Sequence, residues 1–280
     1  MTLHFFQALG QNPFLILAIL AGFAASFTSG VMGTYVVVKR IVSISGSIAH
    51  SVLGGMGLCL YLRRTYHLDF LTPLYGALAA GLLSALLMGW IHLKYKERED
   101  TVIAAIWATG MSVGVIFIAL TPGYNVELLN FLFGNILWVT DSDIHLLLTL
   151  DLIIAVVVAF FYRKFNAICF DKDQAALQGL SVGALYLLLL CLVAISVVLL
   201  IQVVGAILVI SMLAIPAAIA GTFTQRLSRM MFFAVLFGGL FTFLGMYASY
   251  ELNWPPGATI SLVAALFYVL SLLRKKTLKS

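Results

Sequence analysis

The sequence predicts an all-α polytopic membrane protein of eight to nine transmembrane helices, and three observations carry that expectation. Hydrophobic residues make up 62% of the 280-residue chain, against roughly 45–50% in a soluble globular protein. Charged residues make up only 10%, where about 25% is usual. Nine apolar stretches, each near the ~20 residues that cross a bilayer at ~1.5 Å rise per residue, follow one another along the chain. A chain so poor in charge cannot cover a water-facing surface, which excludes soluble enzymes, nucleic-acid binders and disordered regulators.

The stretches are taken in order. The first, 14–38, has no short apolar region ending in an Ala-x-Ala cleavage site and runs directly into further apolar sequence, so it is a span and not a removable signal. The second, 41–62, carries His50 among small residues, and the third and fourth, 70–92 and 101–121, flank the basic cluster from Lys94 to Arg98. Leu128 to Val139 is apolar but only about a third to a half of a crossing, between Pro122-Gly123 and Thr140-Asp141, and is expected to be a re-entrant or interfacial helix. The fifth and sixth are 144–162 and 183–202. The seventh, 203–223, has Gly205 near its start and Pro216 inside; Pro lacks a backbone donor and disfavours helix at the preceding residue, so a broken helix is expected, with 216–229 lying along the cytoplasmic surface. The eighth and ninth are 230–250 and 257–273. Polar connections reach only about 10–20 residues, which leaves no room for a soluble domain and makes 1–280 one permeating unit.

Basic residues set the orientation, because Lys and Arg are retained on the cytoplasmic side. Placing Lys39-Arg40, Lys94 to Arg98, Arg163-Lys164 with Lys172, Arg226 with Arg229, and Arg274 to Lys279 inside accounts for all of the 16 basic residues except Arg63 and Arg64. The N-terminus is then external and the C-terminus cytoplasmic, in a plasma or inner membrane. Asp69, Glu127, Asp141, Asp143 and Glu251 face outward, so with two arginines the external loops carry a net −3 that favours cations. The net charge of +5 thus reflects topology and not a nucleic-acid partner. Cys59, Cys169 and Cys191 form no CxxC pair and read as packing residues.

Ionisable groups at membrane depth are expensive, so each is a functional candidate. Two qualify: His50 in the second stretch and Asp151 in the fifth. Helical spacing puts Gly46, Ser47 and Gly54 on the His50 face, giving an imidazole beside small groups and a hydroxyl. That face can line a narrow path, or His50 can hydrogen-bond a neighbouring helix while Gly54, Gly55 and Gly57 allow close packing. Asp151 has the same two readings, a path group or a carboxyl hydrogen-bonded between helices. There is no His-Glu-x-x-His and no Walker A loop, so the chain has no ATP site of that kind and reads as a transport subunit, not an enzyme.

Five blocks resemble one family. GTYVVVKRIVSISGSIAHSVLGG (33–55), Asp100-Thr101 opening a span, FLFGNILWV (131–139), VGAILVISMLAIPAAIA (204–220) and PGATI (256–260) are similar, in order and spacing, to the zinc, manganese and iron permeases of ATP-binding-cassette importers. The resemblance covers the chain from about residue 14 to its end. It implies the fold of the cobalamin-type, or type II, importer permeases. It also implies a homodimer or a dimer with a related permease, two cytoplasmic ATP-binding subunits and an extracytoplasmic metal-binding protein. The family's metal-path histidine matches His50, with Ser47 and Asp151 as further path candidates. The family's usual Asp one turn before that histidine falls here on Gly46, which removes a carboxylate suited to Mn or Zn. By the same resemblance Pro216, Ala217, Ala218, Ala220, Gln225, Arg226 and Arg229 dock on the ATPase, with Asp171 to Gly179 as a second contact.

The function expected is therefore permeation in an ATP-driven importer of a divalent metal ion, zinc first and manganese or iron next, by alternating access. No permanently bound cofactor is expected; the metal is cargo. A metal chelate or cobalamin-like substrate is the alternative within the same architecture. An ion-gradient-driven metal transporter would require several midplane acids, and only Asp151 is available. An intramembrane hydrolase with Ser47 as nucleophile and His50 as base has the spacing but no identifiable oxyanion donor.

Overall fold

The computed structural model describes residues 2–95, 99–123, 131, 134 and 136–277. Among them the helices are α1 (Thr2–Gln11), α2 (Pro13–Val38), α3 (Val42–Tyr66), α4 (Pro73–Lys94), α5 (Glu99–Leu120), α6 (Asp141–Phe170), α7 (Lys172–Leu177), α8 (Val182–Val204), α9 (Ala206–Phe223), α10 (Leu227–Leu252) and α11 (Pro256–Thr277). No strand occurs among the described residues. Nine of these helices are long and apolar enough to cross a membrane, all but α1 and α7, and they coincide with the nine apolar stretches of the sequence.

Two expectations about local structure need revision. The helix over 203–223 breaks at Gly205, whose φ of +84° is a left-handed backbone that residues with side chains avoid, and not at Pro216. Pro216 sits inside the continuous helix α9. Packing holds the backbone through the proline, because Ala217 and Ala220 are fully buried against Met230 and Ala234 of α10. There is consequently no surface helix over 216–229: only 224–226 are non-helical between α9 and α10. The re-entrant helix expected over 128–139 falls mostly on 128–130, 132–133 and 135, which lie outside the described residues. Of the remainder, Ile136–Trp138 form one turn of 3-10 helix, and Gly134 has φ +69°.

The chain forms two compact units whose segments alternate along the sequence. The first comprises Met1–Val38, Leu132–Ala155 and Val203–Ser280. Its centre is α2, which is buried along most of its length. Small residues of α2 meet α10 in antiparallel register: Gly22 faces Thr242, Ser26 faces Gly238 and Gly30 faces the backbone of Val235. The Ser26 hydroxyl lies 3.3 Å from that of Thr242, within the same seam. Gly33 meets the Leu213 carbonyl of α9. Without a hydrophobic drive between helices in lipid, such close approach of backbones supplies the packing energy. On α1, Phe5 is fully buried edge-on to Phe243, Tyr247 and Tyr250, at ring separations of 6.2, 5.4 and 5.6 Å.

The second unit comprises Lys39–Phe131 and Val156–Gln202 and is built around α3. Gly55 and Gly76 bring the backbones of α3 and α4 together, while Gly81 meets Val198, and Gly89 meets Leu187 and Leu190, of α8. Along α5, Gly54 faces Gly110 and Gly57 faces Gly114; a Cβ at these two positions would lie 2.9 and 2.7 Å from the facing carbonyl oxygens. The α3–α5 pair is parallel, and its register is marked by the facing pairs Ser47 with Ile103, Gly54 with Gly110 and Gly57 with Gly114.

Candidate functional site

His50 lies about two turns into α3. The register set by the glycines brings it to Trp107 of α5, and the two rings stack with centroids 4.3 Å apart and planes 10° from parallel. Trp107 is itself held, because its indole N–H donates to the Met111 sulfur one turn along at 3.1 Å. The His50 Nδ1 is buried with no hydrogen-bond partner. A polar atom left so costs about 1–3 kcal/mol, and natural structures retain few of them. Burial of Nδ1 leaves Nε2 as the ring nitrogen that can meet a ligand. One helical turn earlier, a Cβ added to Gly46 would have nothing within 4 Å, so open space lies beside the backbone at the position where a carboxylate is missing.

Ser47 does not share that opening. It is fully buried, and its hydroxyl donates to the Ile103 carbonyl at 3.0 Å, tying α3 to α5. The hydroxyl is thus committed to a backbone carbonyl and not to the imidazole, which speaks against the hydrolase reading. Asp151 belongs to the other unit. Its carboxylate accepts a 2.6 Å hydrogen bond from Thr28, which is fully buried on α2. The structure therefore gives Asp151 the helix-to-helix hydrogen bond of its packing reading. Among the described residues, no group of three or more His, Cys, Asp and Glu gathers that could cage a metal.

The residues expected to dock on an ATPase divide in two. Pro216, Ala217 and Ala220 are buried in the chain's own core, where they pack against α10. Gln225, Arg226 and Arg229 are exposed at the turn between α9 and α10, and Ala218 is half-buried. An open groove beside this turn is lined by Phe223, Thr224, Ser228, Arg229, Phe232 and Phe233. In the segment 171–179, Asp171 caps α7 by accepting from the backbone N–H groups of Asp173 and Gln174 at 3.1 and 2.9 Å. Leu177 at its end is 89% exposed. Sequence reasoning missed Trp107. Its one signal was an aromatic residue inside a span, and that meets His50 only once the α3–α5 register is known.

Comparison with known proteins covers nearly the whole chain. The model of the ABC 3 transport family matches residues 11–275. A probable metal transport system membrane protein of Chlamydia pneumoniae is 51% identical over 266 residues, spanning 94% of this chain and 90% of that protein. The manganese transport system membrane protein MntC of Listeria monocytogenes is 31% identical over 269 residues, spanning 96% and 93%. Among solved structures, PsaBC from Streptococcus pneumoniae in complex with Fab superposes with a TM-score of 0.84 at 28% identity, covering 97% of this chain and 95% of that one.

Proposed function

Because the chain belongs to the ABC 3 transport family, we propose that it is the membrane permease of an ATP-driven importer of divalent metal ions. The observation that carries this reading is His50: an imidazole within a membrane span, stacked on one face, with Nδ1 buried and unpartnered and room beside it at Gly46. Relatives named for metal and manganese transport support the cargo class. Imidazole without a carboxylate suits zinc better than manganese, so zinc is the first cargo and manganese, favoured by the relatives' names, the second.

In this reading two permease copies enclose the path, and an external metal-binding protein delivers the ion. Cytoplasmic ATP-binding subunits engage the exposed Gln225, Arg226 and Arg229, with 171–179 as a second contact. Their closure on ATP switches the path from outward to inward facing, and the C-terminus is cytoplasmic. The test is reconstitution of the permease with its ATPase and binding protein in proteoliposomes. ATP-dependent accumulation of Zn²⁺ or Mn²⁺ that His50→Ala abolishes supports the reading. Accumulation that persists in His50→Ala, or that follows an ion gradient without ATP, contradicts it.

A further inference from the structure

We propose that Trp107 is a positioning residue for cargo transfer, holding the His50 imidazole so that Nε2 alone meets the ion. The inference rests on the reading of His50 as a cargo contact and deepens it.

A histidine that binds a metal is normally oriented through its other ring nitrogen, which donates to a carboxylate, carbonyl or water. His50 lacks that device: its Nδ1 is buried without a partner, and the hydroxyls on either side of it in sequence, Ser47 and Ser51, donate to the carbonyls of Ile103 and Ile48. The ring is steered through its face instead. Parallel stacking at 4.3 Å and 10° restrains rotation about the Cβ–Cγ bond, which would swing Nε2 out of line. The steering group is fixed in turn, by the bond from the Trp107 indole to Met111 and by the glycine contacts that set the height of α5 against α3.

Stacking also favours the loaded ring. A metal-bound imidazole is electron-poor, and the electron-rich face of an indole attracts it as it attracts a cation. Trp107 remains 40% exposed, so replacing it does not open a closed core.

The test uses the reconstituted permease with its ATPase and binding protein, with Zn²⁺ and Mn²⁺ as probes, and compares Trp107→Phe, Trp107→Leu and His50→Ala. Trp107→Leu keeps an apolar side chain but cannot stack. It is expected to raise the KM for metal about tenfold, the effect of losing an aromatic pair of ~1.4 kcal/mol, to leave the ATPase rate unchanged and to shift the pH profile of uptake. Trp107→Phe restores a stacking face and is expected to recover KM to within about threefold and to return the pH profile towards wild type. Wild-type KM and pH profile in Trp107→Leu overturn the proposal, as does an equal defect in Phe and Leu at normal membrane abundance. If His50→Ala transports normally, the reading of His50 fails; if His50→Ala is dead while Trp107→Leu is normal, only the role of Trp107 fails.

Discussion

Asp151 and His50, the two ionisable residues that the sequence places well inside a span, lie one in each compact unit, and the two are treated in opposite ways. In the first, Asp151 accepts a hydrogen bond from a buried threonine of α2. In the second, His50 keeps a buried nitrogen with no partner and is held by ring stacking alone. Both cost free energy to place in a bilayer, and only one has that cost offset by a hydrogen bond. The contrast is between a polar group whose hydrogen bond joins two helices and one whose ring nitrogen is left without a partner.

The largest expected effect tests that contrast directly. His50→Ala should lower metal uptake by about 10- to 100-fold at unchanged membrane abundance, the range found when even an outer partner of a metal ligand is lost, whereas Asp151→Asn, which keeps an acceptor for Thr28, should stay within about twofold. Reversed results would exchange the roles of the two groups. Next comes the register of the second unit. A valine side chain at Gly54 collides with the Gly110 backbone, and overpacking of this kind costs about 1–3 kcal/mol. Gly54→Val should therefore lower the folded yield in membranes, while Gly46→Ala, which meets nothing within 4 Å, should fold normally and gain up to ~1 kcal/mol in helix propensity. Thermal unfolding in detergent separates the two.

Smaller effects follow at the edges of the account. Arg226→Glu should reduce metal imported per ATP hydrolysed several-fold with metal delivery intact, as measured by uptake and phosphate release in the same vesicles. Equal coupling in the variant would move the docking contact to 171–179. Gly46→Asp, which places a carboxylate one turn from His50, should raise Mn²⁺ uptake relative to Zn²⁺ several-fold, because carboxylate oxygen suits manganese. The smallest change is Thr28→Val, which removes one interhelical hydrogen bond and should cost about 0.6 kcal/mol with uptake unaffected.

Composition and apolar length made the nine spans legible, since each stretch had to reach across a bilayer on its own. What sequence could not supply was register. Gly54, Gly57, Gly110 and Gly114 read as packing positions, but nothing in their spacing says which pairs meet, and that pairing is what carries Trp107 to His50. Ser47 misled for the same reason: helical spacing puts it beside His50 on α3, yet the closeness of α5 claims its hydroxyl. Pro216 was read by the rule for exposed helices, whereas burial of Ala217 and Ala220 carries α9 through it. Asp151 allows a packing and a path reading in the sequence, and the donor that bears on the first, Thr28, lies 123 residues away.

X-ray absorption at the zinc edge, on the purified permease complex loaded with Zn²⁺ in the absence of nucleotide, tests the central claim most directly. If the unpartnered imidazole is the cargo contact, the spectrum shows an imidazole nitrogen shell near the ~2.0–2.1 Å of zinc–histidine bonds, lost in His50→Ala and retained in Asp151→Asn. An imidazole shell unchanged in His50→Ala, or a shell lost with Asp151→Asn, would contradict it.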